Sequence, residues 1–508
     1  MSDAQPTSYS GWQHERSGWV GNLSGPGMIM LAAAVGLLLV PLYQRTLLSL
    51  IFIPIAALML ALAYGRVLGL AAEEWILLAV RHQIAVAKGT NVFTSGAAAP
   101  RSRATGAQPM DLPGQLARIR FLAAPDGLGG ELGVVHDPNA NTYSAVLRVT
   151  HPGLALVDTA QQNARVAAWG ALLRSYCTED GAIIRIGVHQ RCLPDDGTAL
   201  ESWTAQHTSP DAPPEAIEAI REVMYGAGPS ATSRETYLTL TMSASRARLA
   251  VKGAGGGQVG AAAVLVRELG AMQGTLGSAG LQVVEQLDQR GLAQVVRTAY
   301  DPHEQVTIAA RNAAAATPGW EGTPRGVDPD LAGPATAVTE WGVYQHDGAW
   351  TVTYAVRGLP HGEVYATVLQ PLMRPRTTAR RSLTMVYEPI GPREARRQLS
   401  AERTKRDASR RLRAKTGKVD SEDQIRELMV AHSQDIARSQ GQGVVRLTAM
   451  IAVTVTDLEQ LETACAELQA DASAAGLELR KTWGAMDDGF AVAALPLALG
   501  LPDRRSMF

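Results

Sequence analysis

The residues with the clearest chemical character form a dense basic stretch in the last third of the chain. Between Arg374 and Lys418 there are fifteen Lys or Arg residues and only four acidic residues. On a helix, the central cations of this stretch point in nearly every direction, so the segment cannot pack as a core element by itself. The candidate contact residues at its centre are Arg403, Lys405, Arg406, Arg410, Arg411, Arg413 and Lys415.

Such a stretch is either a solvated helical hairpin or a contact for a polyanion. Three kinds of polyanion fit it: nucleic acid phosphates, anionic lipid head groups and an acidic partner protein. No aromatic residue lies among the central cations to stack on bases. Any nucleic acid contact would therefore be electrostatic and non-specific.

Two glycine-containing segments have the outline of nucleotide-binding loops. Gly255 to Gly260 (GGGQVG) matches G-x-G-x-x-G, but a dinucleotide site needs this turn directly after a strand. The preceding predicted strand ends near Ser243, and a polar stretch intervenes. Around Lys418, a phosphate loop requires glycine and a hydroxyl residue where the chain has Leu412 and Val419. The sequence therefore predicts no cofactor.

No catalytic or metal-binding pattern emerges elsewhere. The ten histidines are dispersed, and the three cysteines are too few for a disulfide framework or a closed zinc site. No G-x-S-x-G motif occurs. Asp487 and Asp488 precede Gly489, which is typical of a solvated hairpin turn. We therefore expect a non-enzymatic protein with no catalytic, cofactor-binding or metal-binding residues.

Length and composition bound the architecture that carries these residues. A chain of 508 residues has room for two or three domains. Its hydrophobic fraction of 46% is sufficient for the body of the protein to bury cores. The 47 basic and 48 acidic residues nearly cancel, so only local charge clusters can indicate a partner.

Two uncharged apolar runs predict a transmembrane helical hairpin at residues 28–66, after a cytoplasmic tail at 1–27. The runs extend from Met28 to Pro41 and from Leu47 to Tyr64, with a short polar break that contains Arg45. A helix needs about 20 residues to span hydrocarbon, and flanking residues make up the length. A buried helical hairpin is the alternative. A cleaved signal peptide does not fit, because a second apolar run follows directly.

The charges around the hairpin predict its orientation. The loop holds one arginine, whereas five basic residues follow between Arg66 and Arg103. The positive-inside rule therefore predicts a multi-pass protein of the inner membrane, in contact with lipid, with both termini in the cytoplasm. Residues 67–110 are predicted to form an amphipathic helix and a linker.

The remaining chain predicts two α+β modules, at 111–311 and 336–508, joined by a linker at 312–335 that is rich in Ala, Gly and Pro. Each module repeats a β-α-β-β-α-β-like order, so the fold class is α+β: a transmembrane hairpin followed by two ferredoxin-like mixed-sheet modules. A long basic helical arm at 393–439 is inserted in the second module. The predicted strands include Thr142 to Thr150, Glu235 to Ser243, Val444 to Thr456 and Phe490 to Pro496, and the predicted helices include Asp158 to Cys177, Gly362 to Leu372 and Asp457 to Ala475.

This pattern resembles the non-motor N-terminal region of the large ATPases of type IV secretion and conjugation systems. The resemblance lies in the strand-helix-strand set from Thr142 to Gln190, in Tyr237 to Leu240, in the basic arm, and in the closing segment from Asp488 to Leu497. The N-terminal hairpin resembles the two-helix inner-membrane subunit that partners such ATPases. Actinobacterial conjugation proteins combine both parts in one chain. In the ATPases a motor with a phosphate loop follows, whereas this sequence ends eleven residues after Leu497.

The resemblance implies a membrane-anchored scaffold of a conjugation or type IV-like secretion apparatus. Such a scaffold would dock a separately encoded ATPase at the cytoplasmic face, as an oligomer within a larger complex. Two alternatives stay open. One is a ring component of an ESX-type (type VII) complex, which also resembles a two-helix anchor with an α+β part. The other is a membrane-bound enzyme with a site that the sequence does not display.

Overall fold

A computed structural model describes residues 25–44, 51–67, 70–96, 111–127, 129–151, 153, 157–194, 204, 207–209, 211–227, 232–317, 321–322, 324–358, 360, 364–374, 376, 378–401, 404 and 443–499. Its helices are α1 (Gly25–Gln44), α2 (Phe52–Tyr64), α3 (Ala72–Ala87), α4 (Thr159–Ser175), α5 (Pro214–Ala227), α6 (Arg248–Gly253), α7 (Gly257–Leu276), α8 (Gln289–Tyr300), α9 (Glu304–Ala315), α10 (Leu461–Ala474) and α11 (Met486–Ala493). Its strands are β1 (Arg66–Val67), β2 (Leu70–Ala71), β3 (Val92–Thr94), β4 (Arg120–Pro125), β5 (Glu131–Asp137), β6 (Thr142–Thr150), β7 (Ile183–Pro194), β8 (Thr232–Ser243), β9 (Gln282–Gln286), β10 (Thr336–Thr339), β11 (Tyr344–His346), β12 (Ala349–Gly358), β13 (Arg380–Ile390), β14 (Val444–Val455) and β15 (Glu478–Lys481).

The predicted transmembrane hairpin is wrong. Among the residues that the structure describes, no helix is both long enough and apolar enough to cross a membrane. Helix α2 has 13 residues, which at the rise of an α-helix give about 20 Å against about 30 Å of hydrocarbon. The apolar run of α1 extends only from Met28 to Leu42, which is about 22 Å. The predicted multi-pass location in the inner membrane, with both termini cytoplasmic, is wrong for the same reason.

The two predicted ferredoxin-like modules are also wrong, because their strands form one continuous sheet. Thirteen of the described strands belong to it, in the order β3-β10-β11-β12-β14-β13-β7-β8-β6-β5-β4, with β15 beside β12 and β9 beside β6. The join is an antiparallel pairing of β7 with β13, from Cys192 opposite Arg381 to Ile186 opposite Tyr387. Every neighbouring pair in this sheet is antiparallel.

The sheet consists of two halves that share one pairing scheme. In the first half β7, β8, β6, β5 and β4 are neighbours in that order; in the second half β13, β14, β12, β11 and β10 follow the same order. Each half then adds a helix, a short strand and a closing helix. In the first half these are α7, β9 and α8, with β9 beside β6; in the second half they are α10, β15 and α11, with β15 beside β12. The sequence echoes this repeat, since His136-Asp137 and His346-Asp347 precede equivalent hairpin turns.

Successive side chains of a strand point to opposite faces of the sheet. Both faces of this sheet carry apolar side chains, and helices cover both. Val146 and Tyr237 point to one face, where α8 and α11, which belong to different halves, share a single core. Leu147 and Leu238 point to the other face, which α4 and α7 cover. In the second half α10 covers that face over a further core. The first core spans both halves, so neither half is complete without the other.

Most predicted strands and helices of the body are confirmed, and two are wrong. Strand β6 has the predicted bounds. The bounds of β8, β14 and α4 lie within three residues of the predicted ones, and α10 begins four residues later than predicted. The segment from Phe490, predicted as a strand, belongs to helix α11 and to the buried turn after it. The described part of the predicted helix at 362–372 forms turns that end in a 3-10 helix at Gln370–Met373.

A buried ion pair lies beside the join between the halves. The Arg191 guanidinium on β7 donates to the Glu235 carboxylate (Nε–Oε2 2.5 Å) and to the Thr298 hydroxyl (Nη1–Oγ1 3.1 Å). The Tyr237 hydroxyl also donates to Glu235 (2.9 Å). Burial by itself raises the pKa of Glu235, but Arg191 and Arg148 outweigh it and hold that pKa below its ordinary value. The pair thus ties β7, β8 and α8 together.

We expect the variant Arg191→Met to be strongly destabilised, because it leaves the Glu235 carboxylate buried without its main counter-charge. Breaking a buried pair on one side costs about 3–5 kcal/mol. The measurement is chemical unfolding at neutral pH. The control is Arg191→Met combined with Glu235→Gln, which removes both charges and should recover much of the loss. A double variant as unstable as the single one would contradict this account.

Candidate functional site

The basic stretch divides into a part that serves the fold and a part that leaves the body. Its predicted contact residues Arg403, Lys405, Arg406, Arg410, Arg411, Arg413 and Lys415 lie outside the described residues, and so does Gly417-Lys418. Within the stretch, the two arginines at the start of β13 are turned inward. Arg381 donates to Asp471 of α10 (Nη1–Oδ2 2.6 Å), and Arg380 donates to the carbonyl oxygens of Thr298 and Pro302. These charges support packing and are not available to a partner.

The root of the arm is a helical stem at residues 392–401, directly after β13. Ala395 is buried, and the Arg393 backbone N–H donates to the Glu179 carboxylate, so the stem is fixed to the body. Arg393, Arg396 and Arg397 are exposed. Because positions three and four residues apart lie on one side of a helix, these three cations form one basic stripe. The stem also carries the exposed Glu394, so with three cations against one carboxylate it presents a net positive charge to solvent.

Helix α3 is attached to the second half of the sheet by aromatic side chains. Trp75 and His82 lie edge-on to Trp341, with ring centroids 5.7 and 5.5 Å away. Trp341 stacks on Trp483 at 6.2 Å. The turn after Trp483 needs Gly484, because its backbone is left-handed (φ 70°) and a Cβ there would lie 2.6 Å from the Trp341 ring. The contact is therefore close and specific.

A small crevice lies beside this attachment. Its wall combines the Tyr300 and Tyr344 side chains with Asp487 and Asp488 in the first turn of α11 and with the turn at Gly114. Its accessible volume of about 10 Å³ is about the room needed by one water molecule. The Tyr344 hydroxyl is buried beside the Tyr300 side chain. Two tyrosines and two aspartates thus lie together at this crevice.

Burial shifts the acidity of the groups around this crevice. The pKa of Asp488 is raised to about 6, chiefly by burial and also by the neighbouring Asp487 charge, while Arg81 of α3 opposes the shift. The pKa of Asp487 is also raised, chiefly by burial, with Arg81 and His82 opposing. Carboxyl groups with such pKa values can hold a proton near neutral pH. The prediction of a solvated hairpin turn here is wrong: the two aspartates begin a helix and face α3.

The outer surface of α3 is apolar and exposed. Ile76, Leu77, Val80 and Ile84 are 41%, 66%, 50% and 49% exposed, and their spacing places them on one side of the helix. An exposed apolar patch of this kind marks a surface that binds another macromolecule. Together, the α3 stripe and the basic stem are the surfaces best suited to docking.

The other segments that resembled sites have structural roles. Gly255, Gly256 and Gly257 have positive φ and form the turn between α6 and α7, so they do not follow a strand as a dinucleotide loop must. Residue 260 must be glycine because a Cβ would lie 2.4 Å from the Val251 carbonyl oxygen. His189 and His346 are buried and bonded to neighbouring threonines. The described residues hold no cluster of three or more metal-binding side chains.

Sequence reasoning missed the crevice, the exposed stripe of α3 and the inward orientation of two arginines for different reasons. Nothing local links Tyr300, Tyr344 and Asp487, which are brought together by long-range packing. The exposed α3 stripe follows from the helical spacing of Ile76, Val80 and Ile84, but the sequence alone does not show which side of that helix is covered. One feature of the sequence does indicate that Arg380 and Arg381 are turned inward: the strand pattern of β13 begins at these two residues.

We expect Asp488→Asn to stabilise the protein at pH 8 and to have little effect at pH 4. A raised carboxyl pKa means that the folded state holds its proton more tightly than the unfolded state. Stability is therefore lost as pH rises from about 4 to about 6, and an uncharged side chain escapes that loss. The expected gain at pH 8 is about 1–2 kcal/mol, measured by chemical unfolding at several pH values.

The matched control is Glu462→Gln, which removes an exposed carboxylate from the first turn of α10 and should leave the pH profile unchanged. A destabilised Asp488→Asn protein at pH 8, or a gain of equal size at pH 4, would contradict the burial argument.

The chain was compared with models of known protein families and with curated proteins. No family model matches it, and no curated protein matches it. The resemblance to the non-motor region of type IV secretion ATPases therefore rests on the sequence pattern alone. A function for this protein has to be argued from the surfaces and charges described above.

Proposed function

We propose that this protein is a non-enzymatic scaffold of a bacterial conjugation or type IV-like secretion apparatus, and that it docks a separately encoded ATPase. The observation that carries the proposal is the basic stem at 392–401. It is fixed to the body at Ala395 and Glu179, yet it presents Arg393, Arg396 and Arg397 to solvent. Eight further basic residues follow between Arg403 and Lys418.

The distribution of the other charges supports the same proposal. Arg191, Arg297 and Arg381, which are buried or nearly so, each lie against carboxylates at 2.5 to 2.9 Å. The stem arginines are different, because they face water. Exposed charges contribute little to stability, whereas they raise association rates and select partners of opposite charge. The stem therefore suits recognition better than folding.

The apolar stripe of α3 supplies the second element that a docking surface needs. Charged contacts set orientation and rate, while buried apolar side chains supply most of the affinity. Leu77, at 66% exposure, is the most exposed of the four stripe residues. The polar interior at the join and the small crevice offer little room for a substrate, which favours a binding role over a chemical one.

We expect neutralising Arg403, Arg406, Arg410 and Arg411 to alanine to weaken binding of the ATPase by at least about tenfold, because a charged contact is lost. The melting temperature should change little, since solvated charges contribute little to the fold. Binding of the purified full chain to the ATPase encoded beside it would be measured by calorimetry. The wild-type contact should weaken as salt rises to about 0.5 M.

The matched control changes four exposed cations elsewhere: Arg246, Arg248, Lys252 and Arg267 to alanine. It removes the same number of positive charges from the first half and should leave ATPase binding within about twofold, because none of these residues belongs to the basic stretch. An equal loss of ATPase binding in both variants would show that only the net charge of the chain matters, and not the position of the arm cations. Unchanged binding in the arm variant would overturn the proposal, as would tight binding of duplex DNA with no binding of the ATPase.

A further inference from the structure

The repeat within the sheet places two insertions at equivalent positions of its halves. In the first half β7 and β8 are joined through residues 195–231, and in the second half β13 and β14 are joined through residues 391–443. The ends of each hairpin are paired, Pro194 with Thr232 and Ile390 with Val444. Both insertions therefore leave the body from a rigid strand pair.

The pairing of β7 with β13 sends the insertions in opposite directions. Because the two strands are antiparallel, the end of β7 lies beside the start of β13. Pro194 and Ile390 are thus at opposite ends of the sheet, about 35 Å apart at the rise of a strand. A contact between the two insertions is favoured between copies, where opposite ends can meet.

The two insertions carry opposite charge. Residues 195–231 contain seven acidic residues and one basic residue. From Arg393 to Lys418 there are eleven basic and three acidic residues. The net charge of the whole chain is −1 and does not reveal this separation. Because the insertions start at opposite ends of β7 and β13, the two charges are attached to opposite ends of the sheet.

The described part of the acidic insertion is helix α5. Glu215, Glu218 and Glu222 are all exposed, and their spacing of three and four residues forms one stripe. Ile217 and Met224, on the opposite side, are half-buried, so the acidic stripe faces outward. Val223, which is 72% exposed, lies about a quarter turn from the stripe, whereas Ile220, which is 48% exposed, lies on the side of Ile217 and Met224. Within the described residues the acidic stripe has no partner of opposite charge from outside the helix.

We propose that α5 of one copy docks against the basic stem of a second copy, head to tail. The carboxylates of Glu215, Glu218 and Glu222 are equal in number and opposite in charge to the guanidinium groups of Arg393, Arg396 and Arg397, and each set lies on one side of its helix. Val223, next to the acidic stripe, supplies apolar area to the contact. Because the two surfaces differ, the contact is heterologous and each copy can join two neighbours. The inference concerns self-association. Because it occupies the stem, it leaves the ATPase the cations between Arg403 and Lys418, which are the residues that the ATPase test changes.

The test is a charge exchange in the full chain. One variant carries Glu215→Lys, Glu218→Lys and Glu222→Lys, and the other carries Arg393→Glu, Arg396→Glu and Arg397→Glu. We expect self-association of the wild type at about 50 mM salt, measured by sedimentation velocity, and its loss at about 0.5 M salt, since exposed charge pairs are screened. Each variant alone should associate at least about tenfold more weakly, because like charges then face each other.

Mixing the two variants restores opposite charges at every contact, so the mixture should assemble about as well as the wild type. A control with Arg246→Glu, Arg248→Glu and Arg267→Glu should associate normally. If the second variant unfolds, Arg396→Glu with Arg397→Glu replaces it, which spares the position bonded to Glu179. A monomeric wild type at low salt, association that persists in either variant, or a mixture that stays monomeric would each overturn the proposal. Association that strengthens with salt would point instead to the apolar stripe of α3 and would overturn it too.

Discussion

The antiparallel pairing of β7 with β13 is the constraint on which the rest of the structure depends. It turns two strand sets of the same order into one sheet, and it lets α8 and α11, one from each half, share a core on one face. Without it each half would expose a long central strand and part of that core, which is costly and prone to wrong pairing. The join also decides which polar groups must be satisfied inside. The His189 ring bonds to the Thr384 hydroxyl across it at 2.7 Å, and the Arg191–Glu235 pair lies alongside. These bonds hold only in one register, because a slip by one residue would turn every side chain to the other face.

The same pairing has a consequence for how the molecule meets others. It fixes the ends of the sheet from which the two insertions leave. The acidic and the basic insertion, which are far apart in the sequence, therefore start at opposite ends of the body. The acidic helix α5 and the basic stem are then held at opposite ends by strands that cannot bend independently. Interfaces gain more from such pre-organisation than from area alone, since less ordering is needed on binding. A rigid sheet with distinct ends is a suitable frame for ordered assembly, whatever the partner is.

The sequence predicted correctly the helices and strands whose residue pattern is local. It did not predict features that depend on the length of a helix or on packing between distant residues. Alternation along Thr142–Thr150 and helical spacing in Thr159–Ser175 predicted β6 and α4, because one face of each element is buried and the other is not. The uniformly apolar segment after Phe490 was predicted as a strand, but periodicity cannot separate a buried strand from a short buried helix. The apolar runs near the N-terminus failed on length. The merging of two modules into one sheet depends on the β7–β13 register, for which no local residue pattern is diagnostic.

At the candidate site, the charge of the arm was visible in the sequence. The crevice around Asp487 was not, because it is built with residues more than a hundred positions away. The inward orientation of Arg381 likewise depends on Asp471, about ninety positions away.

The charged residues of this protein include one set that is enclosed with carboxylates and another set that faces solvent. Arg191, Arg297 and Arg381 are enclosed by carboxylates, and each is coupled to neighbours in several elements, so a change at any of them propagates into the core. The arginines of the stem lie on one exposed face, and the stem is tied to the body by the backbone of Arg393, the buried Ala395 and a hydrogen bond from Arg446 of β14 to Gln398. Exposed charges of this kind can be replaced at little cost in stability, so the fold does not require them. They project a positive field beyond the surface, and the proposed docking depends on that field.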